Sequence, residues 1–156
     1  MTTTVDGRLK ALGLTLPDAP APVANYVPFH IAGNLLFISG QISRAADGSV
    51  MTGKLGGGVD VAGGRAAAKL CALNILSQAR AALGSLDRVA QIVKLTGFVN
   101  AVPAFTEHPQ VVNGASDCLV EVLGDKGRHT RSAVGVGSLP LDAAVEIEAI
   151  IAFTPA

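Results

Sequence analysis

The stretch Thr130-Arg-Ser-Ala-Val-Gly-Val-Gly-Ser-Leu-Pro-Leu-Asp-Ala-Ala-Val-Glu-Ile-Glu-Ala-Ile-Ile-Ala-Phe153 carries two alternating patterns separated by a turn. In its first half Val134 and Val136 fall on one side, while Arg131, Ala133 and Gly135, with His129 just upstream, fall on the other. In its second half Val145, Ile147, Ala149 and Ile151 oppose Glu146 and Glu148. Side chains alternate across a strand with period two, so both halves read as strands, Thr130–Leu139 and Ala144–Phe153. Pro140-Leu141-Asp142 is turn chemistry between them. A connection this short predicts antiparallel neighbours, with Arg131 and the two glutamates meeting as a charged cluster on one sheet face.

Upstream, Gln91–Val99 is rich in Ile, Val, Leu, Thr and Phe and reads as a strand, followed by a helix over His108–Leu123 that Gly124 ends. A longer helix precedes them. Asp60 suits its N-cap, Ala66, Leu70, Leu73, Leu76 and Leu83 recur at steps of three and four, and Gly84 closes it. The glycine-rich run Gly53–Gly64 reads as a loop crossing the surface. Tyr26–Ile31 and Leu35–Ser39 flank Ala32-Gly33-Asn34, the turn a hairpin requires. At the start, Val5, Leu9 and Leu12 predict a short helix capped by Gly13. Pro17, Pro20 and Pro22 then mark an extended connector.

These elements imply an α+β fold in which two helices cover one face of a mixed sheet. The expected division is residues 1–25 as helix and connector, and 26–156 as the domain proper. The second sheet face, mixing small residues with Arg and Glu, suits a subunit interface with polar groups left for a cleft at its seam.

Nearly half the 156 residues are apolar and only 15% are charged, which argues against disorder. Twelve basic and twelve acidic residues cancel, with no cationic stripe to grip a phosphate backbone, so nucleic acid is not the expected partner. No run of 18 apolar residues exists, and Asp6, Arg8 and Lys10 stand where a signal peptide would be hydrophobic. No membrane partner and a cytoplasmic location are expected. Cys71 and Cys118 read as packed, reduced thiols. His30 and His108 lack further donors at ligand spacing, so a metal site is not expected.

The run Arg131-Ser-Ala-Val-Gly-Val-Gly-Ser-Leu-Pro140 and the following Val145-Glu-Ile-Glu-Ala-Ile150 resemble the closing signature of the YjgF/Rid family. Ala32-Gly-Asn-Leu-Leu-Phe-Ile-Ser-Gly-Gln-Ile42 is similar to that family's early strand, and Tyr26, Ile92–Val99 and Asn113 fall at matching places. The resemblance implies a chorismate-mutase-like fold and a homotrimeric, barrel-like assembly whose clefts are lined by adjacent subunits. It also implies, for deaminating members, hydrolysis of 2-imino or enamino acids to 2-keto acids and ammonia without metal or organic cofactor. By the same resemblance Arg131 would hold a substrate carboxylate and Glu146 a water. Tyr26, Ser39, Gly40, Asn113, Ser132 and Ala133 would line the cleft.

Elementary chemistry agrees with those roles. A guanidinium offers a carboxylate two parallel charge-assisted hydrogen bonds, and a carboxylate one hydrogen bond from a water can move protons to and from it. Two readings stand beside this one. Ala133 occupies a position where many deaminating members carry Cys, which favours a protein that binds a carboxylate metabolite without turnover. Endoribonuclease, a label attached to the family, fits the neutral charge poorly. Without the resemblance, Arg131 would be a strand arginine paired with Glu146 or Glu148, and His129 a solvated or hydrogen-bonded imidazole.

Overall fold

The computed structural model describes residues 3–19, 21 and 24–156; Pro20 and Pro22 of the expected connector lie outside them. Thr4 caps helix α1 (Val5–Ala11), its hydroxyl accepting from the Gly7 N–H at 3.1 Å. Asp87 Oδ1 accepts the Val5 N–H at 2.8 Å, and Leu9 and Leu16 are buried with the main core.

Strand β1 (Phe29–Ala32) begins three residues later than the alternation predicts, because Pro28 has no N–H to give a ladder. Its carbonyl instead accepts the Ser39 N–H at 3.0 Å. Tyr26 therefore sits in a bend before the strand. The hairpin turns at Gly33, at φ +61°, into β2 (Leu35–Ile42), whose register with its next neighbour shifts between Ile38 and Gln41. Helix α2 (Val61–Leu83) starts at the Asp60 cap, whose carboxylate accepts the Gly63 N–H at 2.7 Å. The glycine-rich loop thus ends at Asp60, and Gly63 and Gly64 are helical. A β-carbon at Gly64 would press on Leu55 and Val111, so the glycine is set by packing rather than by a turn.

Strand β3 (Val89–Asn100), helix α3 (His108–Leu123), strand β4 (Thr130–Val136) and strand β5 (Val145–Phe153) complete the chain. The sheet order is β1-β2-β5-β3-β4. This corrects the antiparallel β4–β5 pair expected from the sequence. β3 lies between them, antiparallel to β5 and parallel to β4. Parallel neighbours need a crossover, and α3 supplies one between β3 and β4. The chain then passes the end of β3 to reach β5. Buried Asn100 anchors that passage, its amide donating to Asp142 Oδ1 at 3.2 Å and to the Ala143 carbonyl at 3.1 Å.

All three helices pack into one core with Leu36, Ile38, Leu95, Ile147 and Ile151 from the sheet. Cys71 and Cys118 are free and buried there, and burial first of all pushes the Cys118 thiol up to about 11. The other sheet face stays open and carries apolar side chains, with Phe37 40% and Val134 44% exposed.

Candidate functional site

Register decides which side chains can meet. Leu95 pairs with both Arg131 and Ala149, so Arg131 belongs to the helix-covered face. Phe98 pairs with both Glu146 and Val134, which puts Glu146 on the open face. The expected shared face for Arg131 and the glutamates is therefore absent, because the intervening β3 sets the phase of both strands. No acidic side chain forms a salt bridge with Arg131 among the described residues. The alternative of an Arg131 pair with Glu146 or Glu148 goes with it.

The residues singled out from the sequence divide into two groups. Tyr26, Ser39, Gly40 and Glu146 line one cavity of about 510 Å³ between the β2 irregularity and the Pro140–Leu141 turn. Ser39 Oγ donates to the Val27 carbonyl at 2.7 Å and ties down the bend that carries Tyr26, itself 54% exposed. Gly40 is required by close approach, since a β-carbon there would collide with the Glu146 carboxylate. Glu146 is half-buried, and its carboxyl is held above the ordinary glutamate range, by burial first and then by Glu148. Such a group is well suited to exchange protons with a bound water.

This cavity holds more than the sequence suggested. Gln78 of α2 lines it at 1% exposure, and neither its amide oxygen nor its nitrogen has a hydrogen-bond partner among the described residues. Arg44 and Asn74 share the wall. Asn74 spends its amide N–H groups on the carbonyls of Arg44 and Leu70, at 2.9 Å each. Gln78 and Asn74 are four residues apart and hence on one helix face. Their signal in the sequence is two amides inside an apolar helical stripe.

Asn113 and Arg131 line a separate groove of about 310 Å³ between α3 and β4, shared with Ser116 and His129. Arg131 Nη1 donates to Asn113 Oδ1 at 2.8 Å and to Ser116 Oγ at 3.1 Å. Ser116 is also 2.9 Å from His129 Nε2, while His129 Nδ1 lies 2.6 Å from the Gly127 carbonyl. Burial lowers the His129 pKa, and Arg131 adds to that, against the opposing Gly127 bond. Ser116 was not singled out from the sequence, although it stands three residues after Asn113 and thus on the same helix face. Ser132 joins the open-face row with Thr96 and Glu148. Ala133 is opposite Gly97 and packs against the core.

Among the described residues, no group of three or more His, Cys, Asp or Glu lies together to hold a metal ion. No helix of the described residues is long and apolar enough to cross a membrane.

This fold, the Gly40–Glu146 contact and the Arg131 groove coincide with a match over residues 6–151 to the family described as "YjgF/chorismate mutase-like, putative endoribonuclease", and the chain belongs to that family. It is 50% identical over 148 residues to protein TCP17 of Trypanosoma cruzi, covering 94% of this chain and 92% of that one. A protein of unknown function from Agrobacterium tumefaciens has a similar solved structure, with TM-score 0.90, 51% identity, and 97% and 94% of the two chains covered. TdcF from E. coli, solved with bound serine, is similar at TM-score 0.63 and 26% identity over 90% of this chain and 99% of that one.

Proposed function

We propose that this protein is a homotrimer whose functional cleft forms between subunits, where the Arg131 groove of one copy faces the Glu146 cavity of the next. The observation that carries this reading is Arg131 itself. Its guanidinium is held by Asn113 and Ser116 with no carboxylate partner among the described residues, ready for an external one. Within one chain the two groups stand on opposite sheet faces, so one molecule of ligand reaches both only across an interface. The exposed Phe37 and Val134 on the open face supply apolar area for that contact.

The ligand is a small carboxylate, and the reaction is hydrolysis of a 2-imino acid. Arg131 fixes the carboxylate by two parallel hydrogen bonds, placing the adjacent C=N carbon in the cleft. Glu146 takes a proton from water as its oxygen bonds to that carbon, and passes it to the imine nitrogen, giving a carbinolamine. Glu146 then takes the proton of the new hydroxyl and delivers it to the amine as the carbonyl forms and the C–N bond breaks, and a 2-keto acid and ammonia leave. Atoms balance as imine plus water giving ketone plus ammonia, with no redox change. Bound serine in the similar TdcF supports a pocket sized for an amino-acid-like carboxylate.

A second reading is binding without turnover. Ala133 favours it, because its side chain packs into the core and offers no reactive group. The endoribonuclease in the family description finds little support here, since basic and acidic residues balance at 12 each. Ammonia and keto-acid release from imines generated in situ tests the reading. Acceleration that Arg131→Ala abolishes supports the deaminase. No acceleration with any imine overturns it and leaves carboxylate binding.

A further inference from the structure

The geometry points to Ser116 and His129 as positioning residues that lock the Arg131 guanidinium, so that only its Nε–Nη2 edge meets a ligand carboxylate. The inference rests on the reading of Arg131 as the carboxylate anchor, and adds how that anchor is held and which edge it uses.

A backbone carbonyl only accepts, so the 2.6 Å contact between His129 Nδ1 and the Gly127 oxygen places a proton on Nδ1. Burial and the neighbouring Arg131 both disfavour a second proton on this ring. The neutral tautomer then has Nε2 as an acceptor, and Ser116 Oγ, at 2.9 Å, donates its single hydrogen there. With the hydroxyl hydrogen pointed at His129, the Ser116 lone pairs are left for Arg131 Nη1 at 3.1 Å. Asn113 Oδ1 takes the other Nη1 hydrogen at 2.8 Å.

Nη1 therefore has nothing left to give a ligand. Among the described residues Nη2 has only a 3.5 Å contact with the Pro109 carbonyl, at the outer limit of a hydrogen bond. The fork open to a carboxylate is the side formed by Nε and Nη2. Asn113 and Ser116 are one helical turn apart on α3, so a rigid element sets both contacts at once. His129 lies two residues from Arg131, at the entry to β4, and ties that strand's start to the same helix. Without the hydroxyl the guanidinium keeps its charge but loses one of the two contacts that fix its plane. A bidentate site suffers from that where a point charge would not.

The test measures pyruvate binding to the full-length protein by calorimetry, with methyl pyruvate as a neutral control, alongside ¹⁵N NMR of the Arg131 guanidinium. Ser116→Ala and His129→Leu are each expected to weaken pyruvate about tenfold, the scale of one charge-assisted hydrogen bond, and to leave the ester unchanged. His129→Gln, which keeps an acceptor within reach of Ser116, is expected to stay within about twofold of wild type on the same reasoning. Restricted rotation of Arg131 Nη1 is expected in wild type and lost in Ser116→Ala. Unfolding temperatures near wild type show that the variants are folded. Wild-type pyruvate affinity and unchanged Arg131 resonances in both Ser116→Ala and His129→Leu would overturn the lock alone. Failure of pyruvate to bind even the wild type overturns the anchor, and the lock's purpose with it.

Discussion

Arg131 and Glu146 stand on opposite faces of the same sheet, on strands that β3 separates. Two strand spacings set their strands roughly 10 Å apart, and their partners Leu95 and Phe98 on β3 offset them along the strands as well. An arginine and a glutamate within reach of each other in one chain would neutralise each other; here Arg131 has no acidic partner among the described residues. The arrangement makes functional sense when each half finds its complement on another copy.

At Gly40 the backbone lies close against the Glu146 carboxylate. Gly40→Ala forces the Glu146 carboxylate aside, and a flexible side chain yields at little cost. The expected outcome is a protein that unfolds within a few degrees of wild type but loses tenfold or more of its imine-hydrolysing rate, about the scale of a misplaced catalytic group. Thermal unfolding and turnover measured together check this. A large loss of stability instead would mean that the backbone, not the carboxylate, moves.

Gly114 makes the opposite prediction. A β-carbon there would collide with the Arg65 carbonyl where α3 crosses α2, and backbone cannot swing away. Gly114→Ala is expected to cost about 3 kcal/mol or more in urea unfolding, at the high end for overpacking. A cost below about 1 kcal/mol, the ordinary range for tolerated core changes, would show that the helices part easily.

The pH dependence of stability follows from Glu146. Its carboxyl titrates above the ordinary range in the folded protein, by burial first and Glu148 second. The folded state therefore binds the proton more tightly than the unfolded chain does. That contribution is fully present below the unfolded value of about 4.3 and is lost as pH rises through the folded value. Glu146→Gln stays neutral throughout. The variant is expected to match wild type in acid and to exceed it at neutral pH, read as a difference in unfolding temperature that grows with pH. A pH-independent difference would contradict the assigned direction.

Gln78 offers a stability gain. Both atoms of its amide are buried without partners among the described residues, and an unsatisfied buried polar group costs roughly 1–3 kcal/mol. Gln78→Leu is expected to raise the urea unfolding free energy by about 1 kcal/mol, the lower end of that range. A loss of stability would show that the amide is bonded through the adjoining cavity in solution.

Local chemistry was legible in the sequence where it acts alone. The second main helix is His108–Leu123, ending before Gly124 as expected, and Asp60 caps α2. Phase and order were not. The Pro140 turn suggested that β4 and β5 pair, but the 12-residue strand β3, paired with β5 on one side and with β4 on the other, inserts between them. Whether a strand lies between two sequence neighbours depends on where the α3 crossover lands, which no local pattern encodes. The side chain periodicity of β4 and β5 was right, yet the relative phase of their faces came from that same intervening strand. Arg131 and Glu146 stood out through resemblance and the chemistry of their side chains. Ser116 and Gln78 did not, because a single hydroxyl or amide on a helix gains meaning only from what packs opposite it.

The composite cleft is tested most directly by mixing subunits. Arg131→Ala and Glu146→Gln chains, each expected to be inactive alone, are unfolded together in equal amounts and refolded, and keto-acid release from an imine is followed. Independent assortment around a closed ring puts an intact Arg131 opposite an intact Glu146 in about a quarter of the clefts, so about a quarter of wild-type activity should return. A mixture no more active than its two components, beside an active wild type, would contradict a cleft shared between copies.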